Sequence, residues 1–177
     1  MRRTSMRFFA GVIALCALAS AFAAFADDAE KPLKKEKAPR FTLRDSHDEP
    51  FGFIFPVKKP VLLTFADQGG HEQMDAWTEP LLKRYGDRIE HRAVAWLEEI
   101  PSLMHGAVEK IIQQTYSWVL LDWTGAVAKR YRCKASAANV FLISRDGFIL
   151  FEHHGKMTKE RLKAAYTILD KELKEGE

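Results

Sequence analysis

Two apolar runs of strand length, residues 61–65 (VLLTF) and 119–122, and a stretch of strand-like alternation at 89–96 are separated by two segments of helical spacing. This succession limits the fold more than any other feature of the chain. The unbroken run Val61, Leu62, Leu63, Thr64, Phe65 suits a strand buried on both faces of a sheet. Residues 71–85 set Met74, Trp77, Leu81, Leu82 and Tyr85 at helical intervals, with Pro80 predicting a kink. Residues 103–116 read as a second helix, started by Pro101 and Ser102. A short strand at 41–43 precedes these elements. Segments 139–144 and 148–151 flank Arg145-Asp146-Gly147, whose Asp-Gly pair signals a hairpin. A last amphipathic helix runs from 158 to 173 through Leu162, Ala165, Ile168, Leu169 and Leu173, with Thr158 placed to cap it. Strand, helix, strand, helix, strand, hairpin, helix predicts an α/β fold with a mixed central sheet and helices on both faces. Such an architecture alone hosts many functions.

The N-terminus has a different character. Arg2, Arg3 and Arg7 lead an uncharged apolar run that closes on Ala24-Phe25-Ala26 before Asp27-Asp28. A basic head, an apolar middle and a small-x-small ending predict an export signal over residues 1–26. A retained anchor is the competing reading, since the run approaches the length of a spanning helix; its abundant alanine and cleavage-like ending favour removal. Thr4-Ser5 after the twin arginine and Leu15 before Cys16 fit neither a twin-arginine nor a lipoprotein signal well. Residues 27–39 are charged and without apolar periodicity, so they read as a flexible leader. Residues 40–177 then form a single domain.

Removing residues 1–26 takes three of the 27 Lys and Arg residues and no acidic one, leaving 24 against 24. A near-neutral chain gives no electrostatic case for nucleic acid or for an anionic membrane surface, and no spanning segment is expected after cleavage. Cys16 leaves with the signal, so Cys133 is the one remaining thiol and cannot form a disulfide within the chain.

Four segments in order resemble the thioredoxin-like superfamily, in particular its extracytoplasmic branch of cytochrome-maturation thioredoxins and peroxiredoxin-like redoxins. Arg40-Phe41-Thr42-Leu43-Arg44-Asp45 is similar to the F-x-L-x-D that opens such domains, and 59–65 (KPVLLTF) to the strand leading into the active-site loop. Residues 119–131 (VLLDWTGAVAKRY) resemble the middle strand and its short helix. Residues 140–147 (VFLISRDG) resemble the final hairpin, with Gly155 where a glycine commonly follows. The resemblance covers nearly all of residues 40–173 and implies a three-layer sandwich around a mixed sheet. Two departures stand out. Where redox-active members carry Cys-x-x-Cys at a helix start, this chain has Asp67-Gln68-Gly69-Gly70-His71-Glu72-Gln73. Where they carry a cis-proline, it has Ala135-Ser136-Ala137-Ala138. The resemblance therefore implies neither dithiol exchange nor peroxide reduction at the usual site.

The candidate binding residues are Asp67, Gly69, Gly70, His71, Glu72 and Gln73 on the loop, facing Ala138 and Asn139. Glycines permit close approach there, and free N–H groups at a helix start suit an anion. Cys133 is either a thiol made reactive by Arg132 and Lys134 or a small core residue, the latter favoured. His71 with Asp67 or Glu72 offers a third possibility, metal delivery, although no metal or cofactor is expected. His153 and His154 read as surface residues pointing to opposite faces of a strand. The four tryptophans read as core or edge packing. The leading expectation is a non-catalytic exported domain that binds an envelope protein or small ligand. The alternative is a thiol-based redox protein or sensor acting through Cys133 by mixed disulfide.

Overall fold

The computed structural model describes residues 36–116 and 118–175. The expected signal and most of the leader lie outside them. Seven strands form one sheet: β1 (Phe41–Asp45), β2 (Pro50–Phe53), β3 (Val61–Ala66), β4 (Glu90–Trp96), β5 (Leu120–Asp122), β6 (Asn139–Ile143) and β7 (Ile149–His154), in the order β2-β1-β5-β4-β3-β6-β7. The central strands β3, β4 and β5 are parallel, while β1, β2, β6 and β7 run antiparallel to their neighbours. Helices α1 (Asp75–Tyr85), α2 (His105–Thr115), α3 (Ala126–Arg130) and α4 (Lys159–Lys174) complete the order. The expected mixed α/β sandwich is what the chain adopts.

The sheet buries both faces, which is why β3 and β6 are apolar except for Thr64 and Asn139. On one face Leu62, Val140 and Leu142 pack against Trp77, Leu81 and Tyr85 of α1 and Ala165, Leu169 and Leu173 of α4. Ile112 of α2 covers Val119 and Leu121 on the same side. On the other face Val61, Leu63, Phe65 and Phe141 meet Val127, Ala128 and Tyr131, on and just after α3, together with Phe41 and Phe53 of the β1–β2 hairpin. Trp77 is fully buried and its Nε1 donates to the Gly155 carbonyl at 3.0 Å.

Several boundaries differ from the sequence reading, each for a physical reason. Strand β2 carries Pro50 and Gly52, residues that argue against a strand, and it forms because it lies at the sheet edge and pairs only with β1. Glu36–Pro39, assigned to the flexible leader, are held by the fold. Ala38 N donates to Gly147 O, Ile149 N to Glu36 O, and Tyr131 Oη to Pro39 O. The helix expected over 71–85 begins as a 3-10 turn at His71–Gln73 before α1. Pro80 lies within α1, where it has no N–H to return to Ala76. Thr158 caps α4 as expected, its Oγ1 accepting from Arg161 N at 3.3 Å.

Candidate functional site

The loop after β3 and the segment before β6 are in direct contact. Asp67 joins them through both carboxylate oxygens: Oδ1 accepts from Gly70 N and Oδ2 from Ser136 N, each at 2.7 Å. Gln73 makes a second tie, its Nε2 donating to Ser136 O at 3.0 Å while Oε1 faces Ala138 N at 3.5 Å. The glycines permit this approach. A Cβ on Gly70 would stand 2.3 Å from Ala137 O, and one on Gly69 would stand 2.7 Å from Ser136 Oγ. Gly70 has φ −84°, so its requirement is for space and not for a left-handed backbone. Ser136, by contrast, sits at φ 56° and Arg132 at φ 55°, conformations that cost of order 1 kcal/mol each and persist where surrounding bonds over-determine them.

Asn139 is the residue that fixes the 131–138 turn. It is fully buried, its Nδ2 directed at the carbonyls of Phe65 (3.3 Å), Lys134 (3.0 Å) and Ala137 (2.9 Å). Its Oδ1 accepts from Lys134 N and faces His154 Nδ1, both at 2.7 Å. His154 Nε2 lies 2.8 Å from Glu152 Oε1, and Arg132 bridges Glu152 to Glu36. The surface reading therefore fails for His154, whose side chain is 12% exposed. The opposite-faces reading holds: His153 packs beside Trp77 and His154 against Phe141.

These contacts sort the sequence-derived candidates. Gly69, His71 and Glu72 are exposed, and Asp67 and Gln73 are half-buried ties. Gly70, Ala138 and Asn139 are buried, so they shape the site from behind and present no side chain to a ligand. His71 Nε2 contacts the Tyr116 hydroxyl, its ring edge-on at 5.9 Å. Sequence reasoning missed Tyr116, although an aromatic residue directly after a helix end was the available signal. Both Asp67 oxygens accept from backbone N–H groups, so the carboxylate is held toward Gly70 and Ser136. Among the described residues no three His, Cys, Asp or Glu side chains converge as a metal site.

Cys133 is half-buried against the aromatic core. Burial first, then the charges of Glu152 and Asp122, push its pKa well above the ordinary thiol value. That is the opposite of the effect expected from Arg132 and Lys134. The Arg132 guanidinium is turned to Glu36 and Glu152, and the carboxylates dominate at the sulfur.

A sheet of this order, with the loop after its central strand meeting the turn before β6, matches solved structures over most of the described chain. The chain has a thioredoxin-like fold. The pneumococcal exposed lipoprotein thioredoxin Etrx1 of Streptococcus pneumoniae superposes with a TM-score of 0.59 at 17% identity, covering 75% of this chain and 99% of that one. A thiol-disulfide oxidoreductase from Bacteroides fragilis gives 0.55 at 21%, covering 76% and 99%. Peroxidoxin BcpB of Mycobacterium tuberculosis gives 0.54 at 17%, covering 80% and 96%. No family model and no curated protein matches the sequence. In this thioredoxin-like frame the loop from Asp67 to Gln73 holds no sulfur, and the one cis peptide bond among the described residues, Phe55–Pro56, lies away from it.

Two outcomes follow. Gly70→Ala is expected to destabilise the domain by about 1–3 kcal/mol through overpacking against Ala137. Gly106→Ala, where a Cβ in α2 meets nothing, should be neutral or gain about 0.4–1 kcal/mol; denaturant midpoints check both. For Cys133, the folded thiol stays protonated where the unfolded one ionises, near pH 8.5. Stability should thus be full below that pH and fall as pH rises above it, and Cys133→Ala should flatten the decline. Equal thiol-labelling rates for native and denatured protein would contradict the burial.

Proposed function

We propose that this chain is an exported thioredoxin-like binding module that engages a protein partner or small ligand at the rim of the 67–73 loop without thiol–disulfide exchange. Supporting the reading most directly is the tie of Asp67 and Gln73 to Ser136, which holds a sulfur-free loop in one conformation. A recognition surface gains from such order, because little conformational entropy is lost on binding. Gly69, His71 and Glu72 form the exposed part of this rim, while Asp67, Gly70, Gln73, Ala138 and Asn139 hold it in place.

Export rests on the basic head and apolar run of residues 1–26, and the periplasm is the compartment we infer. No helix among the described residues is long and apolar enough to cross a membrane. The rival reading, a mixed disulfide through Cys133, draws on the flanking Arg132 and Lys134 and on the thiol-disulfide oxidoreductases that share the fold. Burial and the nearby carboxylates disfavour the thiolate that such chemistry requires.

Site-specific photo-crosslinking in the cell envelope separates the two. A photoreactive residue replacing Glu72 in a Cys133→Ser background should give a discrete, reductant-resistant adduct. The same residue replacing Lys163 on α4 should not. No adduct at position 72, or one that requires Cys133, would overturn the binding-module reading.

A further inference from the structure

Helix α2 is unusual in having apolar residues on its outer side. Of its 11 residues Ile112 alone is buried. Leu103 and Met104, in the turn that leads into the helix, are 96% and 51% exposed, and Ile111 is 62% exposed. Met104, Ala107 and Ile111 follow helical spacing and make one stripe, about 10 Å long at the helical rise per residue. Tyr116 extends the stripe past the helix end to His71, so it is continuous with the rim described above.

The two ends of this stripe are acidic. Residues 67–79 contain Asp67, Glu72, Asp75 and Glu79, and residues 97–102 contain Glu98 and Glu99, with no Lys or Arg in either segment; on α2 itself exposed Lys110 lies on the outer side, and Glu109 lines the opposite flank with Arg44 and Asp45. Asp67 is committed to the loop and Glu98 to Lys129. Among the described residues, none of the other four, Glu72, Asp75, Glu79 and Glu99, takes part in an ion pair. Glu72 and Asp75 stand at the Tyr116 end, where burial first and then the charge of Asp75 raise the pKa of the phenol. Glu99 stands at the Leu103 end.

We infer that this stripe is a docking surface for a basic amphipathic helix of a partner protein. The partner's apolar side covers Leu103, Met104, Ile111 and Tyr116, and its Lys and Arg residues face Glu72, Asp75 and Glu99. This rests on the binding-module reading and supplies the partner's chemistry. Charge decides among the occupants. A second copy meeting this face across a two-fold axis would bring like charges together. An anionic lipid surface would be repelled by the same carboxylates. A basic helix satisfies both the apolar stripe and its acidic ends.

The probe is a synthetic 14-residue amphipathic peptide of Leu and Lys, with a Leu and Glu counterpart, titrated by fluorescence anisotropy. The Lys peptide is expected to bind and to weaken as salt is raised. The Leu103→Ser/Ile111→Ser variant, altered only at exposed positions, should bind it at least ten-fold more weakly with an unchanged melting curve. Binding of both peptides alike, of neither, or of the Lys peptide equally to the variant would overturn the proposal. So would a dimer in sedimentation that the double variant abolishes, or co-sedimentation with phosphatidylglycerol vesicles. Each of these outcomes leaves crosslinking at position 72 free to succeed or fail, so the failure of this surface and the failure of the module reading are distinguishable.

Discussion

The buried carboxamide of Asn139 is the interaction on which the candidate site depends. It stands at the start of β6, where the chain leaves an irregular turn and enters the centre of the sheet. The backbone groups of that turn have no ladder to join, and leaving them unpaired in the interior would cost about 1–3 kcal/mol apiece. Asn139 satisfies both the N–H and the carbonyl of Lys134 and reaches the carbonyl of Ala137. Its further contacts to Phe65 and His154 tie the turn to β3 and β7. With the turn fixed, Ser136 presents its N–H and carbonyl to Asp67 and Gln73, and the loop after β3 closes onto it.

That closure changes what the thioredoxin-like frame offers. The sequence reading placed the binding residues on the 67–73 loop, with the 135–139 segment facing them. The two lie against each other, close enough that a methyl group on Gly70 would not fit. The accessible chemistry therefore lies along the outside of the loop. There His71 contacts Tyr116, and the surface continues over α2 as an apolar stripe with acidic ends. The sole thiol of the described residues packs on the α3 face of the sheet, where burial first and then the charges of Glu152 and Asp122 raise its pKa.

The fold was legible because β3 and β6 are buried on both faces; residues 61–65 and 140–143 carry the apolar runs that this requires, broken only at Thr64. Strand β2 was not, because an edge strand can carry Pro50 and Gly52. The docking of Glu36–Pro39 was hidden for a related reason: these residues are held mainly by backbone bonds to the hairpin, which leave little trace in side-chain pattern. At the site, the residue types of the loop were readable but their roles were not. Asn139 and Asp67 look like ligand-binding groups in a sequence and turn out to be spent on backbone partners. His154 follows an exposed-looking His153, yet it lies on the opposite face of β7 beneath Arg132 and Glu152. Only tertiary placement distinguishes these cases.

Amide hydrogen exchange at Gly70 and Ser136 tests the closure most directly. If Asp67 holds both N–H groups as described, their exchange should be slowed to the level of the amides at the ends of β3 and β6. Exchange at the rate of an unrestrained loop at either amide would contradict a closed, pre-ordered site.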